Sequence, residues 1–507
     1  MSFMNDLKAT LDENSFALTE NGAIGYSTSG RKLLDLNFAV TSFRNKSDKK
    51  IEDAFEKAFY EDKLLAIKWA FYCRDRSEGI GERRLFRVIL KWLANEQPEI
   101  AKAVFELSGV YGRLDDMFVL LDTDLKDDVI AYISKQLKED QENMKNEKPC
   151  SLLAKWLKSP NASSKETKRL AKIIYTGLGM TERQYRKTLS ELRKYLDVIE
   201  VKMSAKEWNG IDYNKVPSRA NLIYNGAFLR NDEERRREYL AALERGDKDV
   251  KINGSVNFPH DIVHKYKSGH RTLKSLDTTL EQLWKALPDF VNGQGNTICV
   301  ADGSGSMTDT IGGTSVTALT VANALAIYFA EHSSGQFKDK YITFSSRPQF
   351  VDFSNAKTLR EKISIAVRNN EIANTNIKAT FDLILKTAVD NNLSQDEIPA
   401  NVLILSDCEF DGMVTGSRDK TLFRNIEQKW IDAGYKMPRC VFWNICSRTG
   451  TLPVNQHENF PVALVSGFSP AICKMVLSGK LDPFECLVEQ LNSERYQIVE
   501  DAVKEVI

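Results

Sequence analysis

Acid and hydroxyl side chains with regular spacing follow a short apolar run in the C-terminal half of the chain. The segment Asp302-Gly303-Ser304-Gly305-Ser306 has the form D-x-S-x-S and comes directly after the β-rich residues 297–301. A second acid, Asp407, follows the β-rich residues 402–406, and Thr375 precedes a predicted helix between the two runs. Carboxylate and hydroxyl oxygens are the ligands that hard divalent cations prefer. The sequence therefore predicts a site for Mg²⁺ or Mn²⁺ formed by Asp302, Ser304, Ser306, Thr375 and Asp407.

The residue types also indicate how such a site would work. The neutral hydroxyls of Ser304, Ser306 and Thr375 would bind the cation directly, while Asp302 and Asp407 would balance its charge through water. A cation with few anionic ligands stays electrophilic, so a carboxylate or phosphate of a partner can complete its shell. The alternative is a Gly/Ser turn after a buried strand, capped by an Asp. Because no nucleophile, base and orienting group occur together, we expect recognition of a ligand rather than catalysis.

The elements around these residues alternate between strand and helix. Beyond the run at 297–301, buried strands are predicted at 341–344, 402–406, 440–443 and 462–465. Helices are predicted at 356–369, 375–391 and 420–433. Such alternation is typical of a doubly wound parallel sheet, in which ligands bind at the carboxyl ends of the strands. The motif residues would lie at this edge.

The first 290 residues show a different pattern. Ile51, Ala54, Phe55, Ala58 and Phe59 recur at helical spacing, and similar stripes continue to about residue 287. Serial helices joined by short loops predict a HEAT-like helical-repeat array, with the capacity to form a ring. We therefore expect a helical domain at 1–290, a sheet domain at 296–480, and a C-terminal helix at 481–507 that packs back on the body.

Length and composition narrow the class of protein. A chain of 507 residues is too long for one hydrophobic core, so several domains are expected. No apolar stretch is long enough to span a bilayer, and the first residues do not resemble a secretion signal, which predicts a cytoplasmic protein without membrane contact.

The eight scattered cysteines form no C-x-x-C pair and indicate reduced, packed thiols. His260 and His264 share a predicted helical face, but a third zinc ligand is not evident.

Any affinity for nucleic acid must come from a local patch, because 70 Lys and Arg residues balance 70 Asp and Glu residues. Between residues 165 and 194 nine basic residues accompany three acidic ones, with Tyr175 and Tyr185 interleaved. Phosphates require Lys or Arg, and unpaired bases can stack on aromatic rings. The same run could also be a solvated helix face. The residues predicted to contact RNA are Lys165, Lys168, Arg169, Lys172, Arg183, Arg186 and Lys187.

Several motifs together support a resemblance to known families. Asp302-Gly303-Ser304-Gly305-Ser306-Met307, with Asn374-Thr375-Asn376 and Leu405-Ser406-Asp407, resembles the metal-ion-dependent adhesion site (MIDAS) of a von Willebrand A domain. The layout is similar to a TROVE-like family found in cells and large viruses and, more distantly, to the Ro 60 kDa autoantigen family. The segments that carry the closer resemblance are 79–83, 111–116, 216–218, 258–263, 442–444 and 464–469.

The resemblance implies a ribonucleoprotein function. Ro proteins are rings of helical repeats closed by the A domain, and they bind small structured RNAs and single-stranded RNA ends. This chain departs from that pattern in its balanced charge and in Asn376, where many A domains place an acid. We expect a non-catalytic RNA-binding protein with a Mg²⁺-dependent A domain. The alternative is a protein-interaction module without RNA, whose metal site captures an acidic residue of a partner.

Overall fold

The computed structural model describes residues 16–20, 22, 24–269, 272–292, 296–344, 347–370, 376–409, 422–453, 462–477, 480 and 482–507. They form two compact units. The sheet unit comprises the described residues of Met1–Ala66 and Gly254–Ser493. The helical unit comprises Ile67–Asn253 and Glu494–Ile507. These units differ from a linear division near residue 290, because the start and the end of the chain each join the unit that is distant in sequence.

The helical unit is the predicted N-terminal helical array. Its helices are amphipathic: Arg83–Glu96, for example, buries Leu85, Phe86, Ile89 and Leu93 on one face. The division between the two units falls within helix Lys63–Arg74, after Ala66. The other α-helices are Arg83–Glu96, Pro98–Val104, Ser108–Tyr111, Lys126–Lys145, Leu153–Trp156, Lys165–Gly177, Glu182–Tyr195, Ile199–Ala205, Ser218–Asn231, Glu233–Arg245 and Gln497–Val503. A 3₁₀ helix covers Leu114–Asp122.

A six-stranded sheet forms the centre of the sheet unit and confirms the predicted doubly wound architecture. Its strands are β3 (Thr297–Asp302), β4 (Lys340–Phe344), β5 (Phe350–Asp352), β6 (Asn401–Ser406), β7 (Arg439–Asn444) and β8 (Val462–Ser466). The order is β5-β4-β3-β6-β7-β8, parallel except for the edge strand β5. Strand β5 was not predicted, since three residues with one buried side chain give little alternation to detect.

Helices cover this sheet. Helix Ala318–His332 packs on β3, β4 and β6 and is buried nearly all round, as its run of apolar residues requires. Glu281 accepts hydrogen bonds from the backbone N–H groups of Leu359 and Arg360 and so caps the N-terminus of helix Leu359–Arg368. The α-helices of the unit are Lys32–Phe38, Asp48–Glu61, Pro259–Tyr266, Thr278–Lys285, Ala318–His332, Leu359–Arg368, Ile377–Asp390, Leu422–Asp432, Cys473–Leu477 and Pro483–Leu491.

The N-terminal segment departs from the prediction that the first 290 residues are all helical. Strands β1 (Phe16–Leu18) and β2 (Ile24–Tyr26) form an antiparallel pair, and Tyr26 exchanges backbone hydrogen bonds with Leu452. Helix Lys32–Phe38 packs on β8, and its Phe38 carbonyl accepts a 2.8 Å hydrogen bond from the Asn444 side chain. Backbone pairing to a distant part of the chain therefore overrides the local helical pattern.

The C-terminal residues form two helices, so the single helix predicted for 481–507 is wrong. Helix Pro483–Leu491 packs on β8 in the sheet unit. Asn492 and Ser493, which are weak helix formers, follow its end. Helix Gln497–Val503 packs on Pro98–Val104 in the helical unit.

All eight cysteines are free thiols, and within the described part of the chain no helix combines the length and apolar character that a bilayer crossing needs.

A buried carboxylate fixes the C-terminal residues within the helical unit. Asp75 is fully buried and accepts hydrogen bonds from Arg495, whose Nη2 lies 2.9 Å from Oδ1. The Tyr496 hydroxyl donates to the same carboxylate over 3.1 Å, and its ring stacks on Tyr111 with centroids 5.5 Å apart. Because a buried charge is costly without its partner, this pair should control the stability of the unit.

We therefore expect Arg495→Ala to lower the free energy of unfolding by about 3 kcal/mol, since it leaves Asp75 buried and uncompensated. Urea denaturation followed by circular dichroism measures the loss. Gln497→Ala is the matched control, because Gln497 is exposed and contacts only the nearby Asp501 among the hydrogen bonds of the described chain. Equal stability of the two variants would contradict this role of Asp75.

Candidate metal centre at the carboxyl edge of the sheet

The two acids of the predicted site follow neighbouring parallel strands. Ala301 of β3 pairs in register with Leu405 of β6, so Asp302 and Ser406 lie side by side where these strands end. From β3 the chain continues to β4 on one side and then returns to β6 on the other. The gap between β3 and β6 is therefore the topological switch point, where open α/β sheets bind their ligands.

Hydrogen bonds join the oxygen atoms of the site into one cluster. Asp302 accepts from the Ser304 backbone N–H at 2.8 Å and from the Ser406 hydroxyl at 2.5 Å. The hydroxyl oxygens of Ser304 and Ser306 are 3.0 Å apart, and the Ser306 hydroxyl donates to Asp407. The structure thus brings together Asp302, Ser304, Ser306 and Asp407, whereas Thr375 lies outside the described residues.

Both carboxylates are nearly inaccessible to water. Asp302 is 1% exposed and Asp407 is 2% exposed. Burial and the neighbouring charge of Asp407 raise the pKa of Asp302 to about 7. Burial likewise raises the pKa of Asp407. Two desolvated carboxylates side by side repel each other, and a bound cation would remove this cost, so the donor set fits a hard divalent ion.

Arg448 belongs to the site, although no motif in the sequence indicates it. Its Nη2 lies 3.3 Å from Asp407 Oδ2, and its Nη1 lies 2.8 Å from Asp309 Oδ2. It also forms an ion pair with Glu20. Arg448 follows β7 and is distant in sequence from both acids, so neither spacing nor a motif could have indicated it.

Glu409 holds the loop that carries Arg448. Its buried carboxylate accepts hydrogen bonds from the backbone N–H groups of Glu20, Arg448 and Thr449 at 2.7 to 2.9 Å, and from the Ser447 hydroxyl. Burial alone would raise the pKa of Glu409, but these donors hold it below the usual value. Between Asp407 and Glu409, Cys408 adopts a left-handed φ of 60°. Such backbone strain occurs often at functional sites.

The basic residues predicted to contact RNA lie on two helices of the helical unit, Lys165–Gly177 and Glu182–Tyr195, and all seven are exposed. Arg169 is already occupied by Asp122 and Glu166 at 2.6 to 2.8 Å. Arg186 and Lys187 have acidic neighbours one helical turn away, each at 3.9 Å. Within the described chain, Lys165, Lys168, Lys172 and Arg183 form no ion pair.

Of the two tyrosines predicted to stack on RNA bases, Tyr185 is not accessible and Tyr175 is only partly so. Tyr185 is fully buried and its hydroxyl donates to the Lys158 carbonyl at 3.0 Å, so it cannot stack on a base. Tyr175 is partly buried beside it, with ring centroids 6.0 Å apart. A tyrosine on the apolar face of an amphipathic helix packs inward, and this explains the error for Tyr185.

The two histidines of helix Pro259–Tyr266, His260 and His264, contact Phe468 and Ser315, which are not zinc ligands. His264 Nε2 lies 3.0 Å from the Ser315 hydroxyl, and the His260 ring packs edge-on against Phe468 at 5.3 Å. Among the residues that the structure describes, no group of three or more His, Cys, Asp or Glu side chains is placed to hold a metal. The cluster of Asp302 is of a different kind, because two of its predicted ligands are the hydroxyls of Ser304 and Ser306.

The fold and the site together define the class of protein. It combines a helical array with a doubly wound sheet that has a polar cluster at its switch point. The sequence matches the family described as Domain of unknown function (DUF2828) over residues 19–107 and 123–298, and the chain belongs to this family. Residues 296–505 match a second family described as Domain of unknown function (DUF7788). The resemblance to von Willebrand A domains stays a prediction.

Two individual proteins are similar over most of the chain. "Uncharacterized protein L728" of Acanthamoeba polyphaga mimivirus is 28% identical over 94% of this chain and 87% of its own length. Among solved structures, the Ro (RSR) protein of Deinococcus radiodurans is 13% identical, with a TM-score of 0.42 over 89% of this chain and 94% of that one.

The raised pKa of Asp302 gives the metal-free protein a defined pH dependence. The pKa of Asp302 is higher in the folded protein than in the unfolded chain. The folded protein therefore loses stability as the pH rises from the unfolded pKa, about 4, to the folded pKa, about 7. At ~1.4 kcal/mol per pKa unit, we expect a loss of about 2 to 4 kcal/mol that Asp302→Asn abolishes.

Urea denaturation in a chelator at pH 5 and pH 7.5 measures this loss as the difference between wild type and variant. Asp390→Asn is the matched control, because Asp390 is exposed at the end of a helix in the same unit. If Asp302→Asn and wild type showed the same pH dependence, the raised pKa would be disproved.

Proposed function

We propose that this chain is a non-catalytic binding protein that holds Mg²⁺ or Mn²⁺ at the carboxyl edge of its sheet. Asp302, Ser304, Ser306 and Asp407 would hold the cation, with Thr375 as a third hydroxyl. One observation carries this proposal: two buried carboxylates and two hydroxyls form a single hydrogen-bonded cluster at the switch point. When bound, the cation supplies a Lewis-acidic position for an anionic oxygen of a partner.

The residues of the chain prepare this position. The Ser406 hydroxyl orients Asp302, and the backbone N–H of Glu409 donates to Asp407 over 3.2 Å. Such surrounding hydrogen bonds fix the direction of the carboxylates before an ion arrives. Hydroxyl-rich sites leave the ion electrophilic, so it can take an anionic oxygen of a partner, and the partner we propose is a protein carboxylate. We place this activity in the cytoplasm, where the eight free thiols would stay reduced.

We expect Mg²⁺ or Mn²⁺ to bind with a stoichiometry of one per chain and to raise the melting temperature, by mass action on the folded state. Asp302→Ala should abolish both effects, because it removes one of the two balancing charges. Asp390→Ala serves as the control for the loss of an acid from the same unit. Isothermal titration in which Asp302→Ala binds the cation as wild type does would refute the metal site.

RNA is the second candidate ligand, and a separate observation favours it. Lys165, Lys168, Lys172 and Arg183 are exposed on adjacent helices of the helical unit and have no acidic partner within the described chain. Unpaired cations at this spacing suit a sugar-phosphate backbone. The motif resemblance to Ro proteins points the same way. Single-stranded or looped RNA would bind here through phosphates, while the cation site takes a protein partner.

Reversing Lys168, Lys172 and Arg183 to Glu should weaken RNA binding at least tenfold, since each lost contact becomes a repulsion. Fluorescence anisotropy with a single-stranded RNA oligomer measures this. With about four phosphates contacted, the slope of log K against log salt should be about −3.

The matched control reverses Lys215, Arg237 and Arg245, which are exposed cations of the same unit that already pair with acids. Asp302→Ala should leave RNA affinity unchanged. An affinity that does not depend on salt, or equal losses in both triple variants, would exclude specific phosphate contacts on this face and leave the protein-interaction function.

A further inference from the structure

Two adjacent buried acids of the helical unit attract an unusual number of cations. Asp115 is 3% exposed and Asp116 is fully buried, at the start of the 3₁₀ helix Leu114–Asp122. They lie in segment 111–116, one of the segments that carried the family resemblance, and no role has yet been assigned to it. The cations that contact these acids are Arg74, Arg87, Arg113 and Lys158.

The contacts are close and shared. Arg113 Nη2 and Lys158 Nζ both lie 2.8 Å from Asp115 Oδ2, while Arg87 Nη2 lies 3.3 Å from Oδ1. Asp116 accepts from Arg87 Nε at 2.7 Å and from Arg74 Nε at 2.6 Å. Each carboxylate therefore contacts more than one cation.

Arg83 adds a further positive charge without an acid of its own. It stands one helical turn before Arg87 on helix Arg83–Glu96, is exposed, and forms no ion pair within the described chain. Partial desolvation, and then the charges of Arg87 and Arg113, lower the pKa of Arg83, while Asp115 and Asp116 act in the opposite direction. Five cations thus act on the two carboxylates of Asp115 and Asp116.

An ion network that served only the fold would balance its charges, because uncompensated buried charge is costly. Here the side chains of Arg87, Arg113 and Lys158 are 23% to 32% exposed, so an anion from solvent can reach them. The guanidinium carbon of Arg113 lies over the Trp156 ring, 3.8 Å from its centre. The Nε of Arg113 has no hydrogen-bond partner within the described chain. Fixed guanidinium forks match the oxygen atoms of phosphate.

We propose that Arg83, Arg87, Arg113 and Lys158 form a phosphate-binding site, positioned from behind by Asp115 and Asp116. The backbone supports this arrangement at Gly112, where a Cβ would lie 2.5 Å from Arg74 Nε and 2.7 Å from Asp116 Oδ2. Any side chain at this position would displace the ion pair. The site is independent of the cation site and of the RNA face on helices Lys165–Gly177 and Glu182–Tyr195.

The ligand chemistry is a phosphate group with free oxygens, either as a small phosphate or on a nucleic-acid strand. Inorganic phosphate is therefore the first probe. Titrated to about 10 mM, it should raise the melting temperature of the full chain more than chloride at equal ionic strength does, by mass action on the folded state. Arg83→Gln should weaken this binding about tenfold, since it removes a charge-assisted donor.

Arg83 is the residue of choice because its removal breaks no ion pair within the described chain. Without phosphate, Arg83→Gln should melt at the wild-type temperature or above it, since the variant relieves repulsion from Arg87 and Arg113. A merely structural arginine would lower it. Arg237→Gln, which removes an exposed charge elsewhere in the unit, should bind phosphate as wild type does.

Two outcomes overturn the proposal: phosphate that stabilises no more than chloride, and equal phosphate affinity in Arg83→Gln and wild type. The source of the ligand follows from competition. Displacement of a labelled single-stranded RNA oligomer by inorganic phosphate from the variant with Lys168, Lys172 and Arg183 reversed, which lacks the proposed RNA face, assigns the site to nucleic acid, and its absence assigns it to small phosphates. The variant with Lys168, Lys172 and Arg183 reversed should retain phosphate binding, which separates this site from the proposed RNA face.

Discussion

The pairing of β3 with β6 is the interaction on which the polar centre of the sheet unit depends. This register places Asp302 beside Ser406 and brings Asp407 close enough for its charge to act on Asp302. Both acids end apolar strands that are buried on both faces, so neither can turn toward water without breaking the sheet. The sheet unit therefore contains a local excess of negative charge that the fold itself cannot remove.

The surroundings of the two acids show how the chain accommodates this excess. Hydroxyls and backbone N–H groups donate to Asp302 and Asp407, while Arg448 supplies one guanidinium at the rim. Arg448 divides its charge among Asp407, Asp309 and Glu20, so it compensates Asp407 only in part. Glu409 differs, because several donors stabilise its charged form and its pKa falls. Burial alone would raise the pKa of both Asp407 and Glu409, and their net shifts are opposite because more donors stabilise the charge of Glu409.

The sequence was sufficient for every strand of the sheet except β5, and for the position of the two acids, because both depend on local patterns. Runs of β-branched and aliphatic residues end at Asp302 and Asp407, and parallel strands must align their carboxyl ends. The sequence could not indicate the contacts of Glu409 with Glu20 and Arg448, since these residues lie in loops that are distant in sequence. The packing of Lys32–Phe38 on β8 and the break after Leu491 depend on tertiary contacts for the same reason. Tyr185 was misjudged because its spacing in the chain did not reveal which helix face is buried.

The net charge of the chain does not reveal the charge of its individual sites, because it averages over local excesses of opposite sign. The chain has a net charge of zero, yet acids outnumber cations around Asp302, and cations outnumber acids around Asp115. In each place the minority charges are buried or shared, and the majority groups keep unused hydrogen-bonding capacity. A cluster that needs an external ion of opposite sign differs in this respect from a structural ion pair, which is complete within the chain. Asp75 with Arg495 is such a complete pair, and we accordingly assign it to stability rather than to binding.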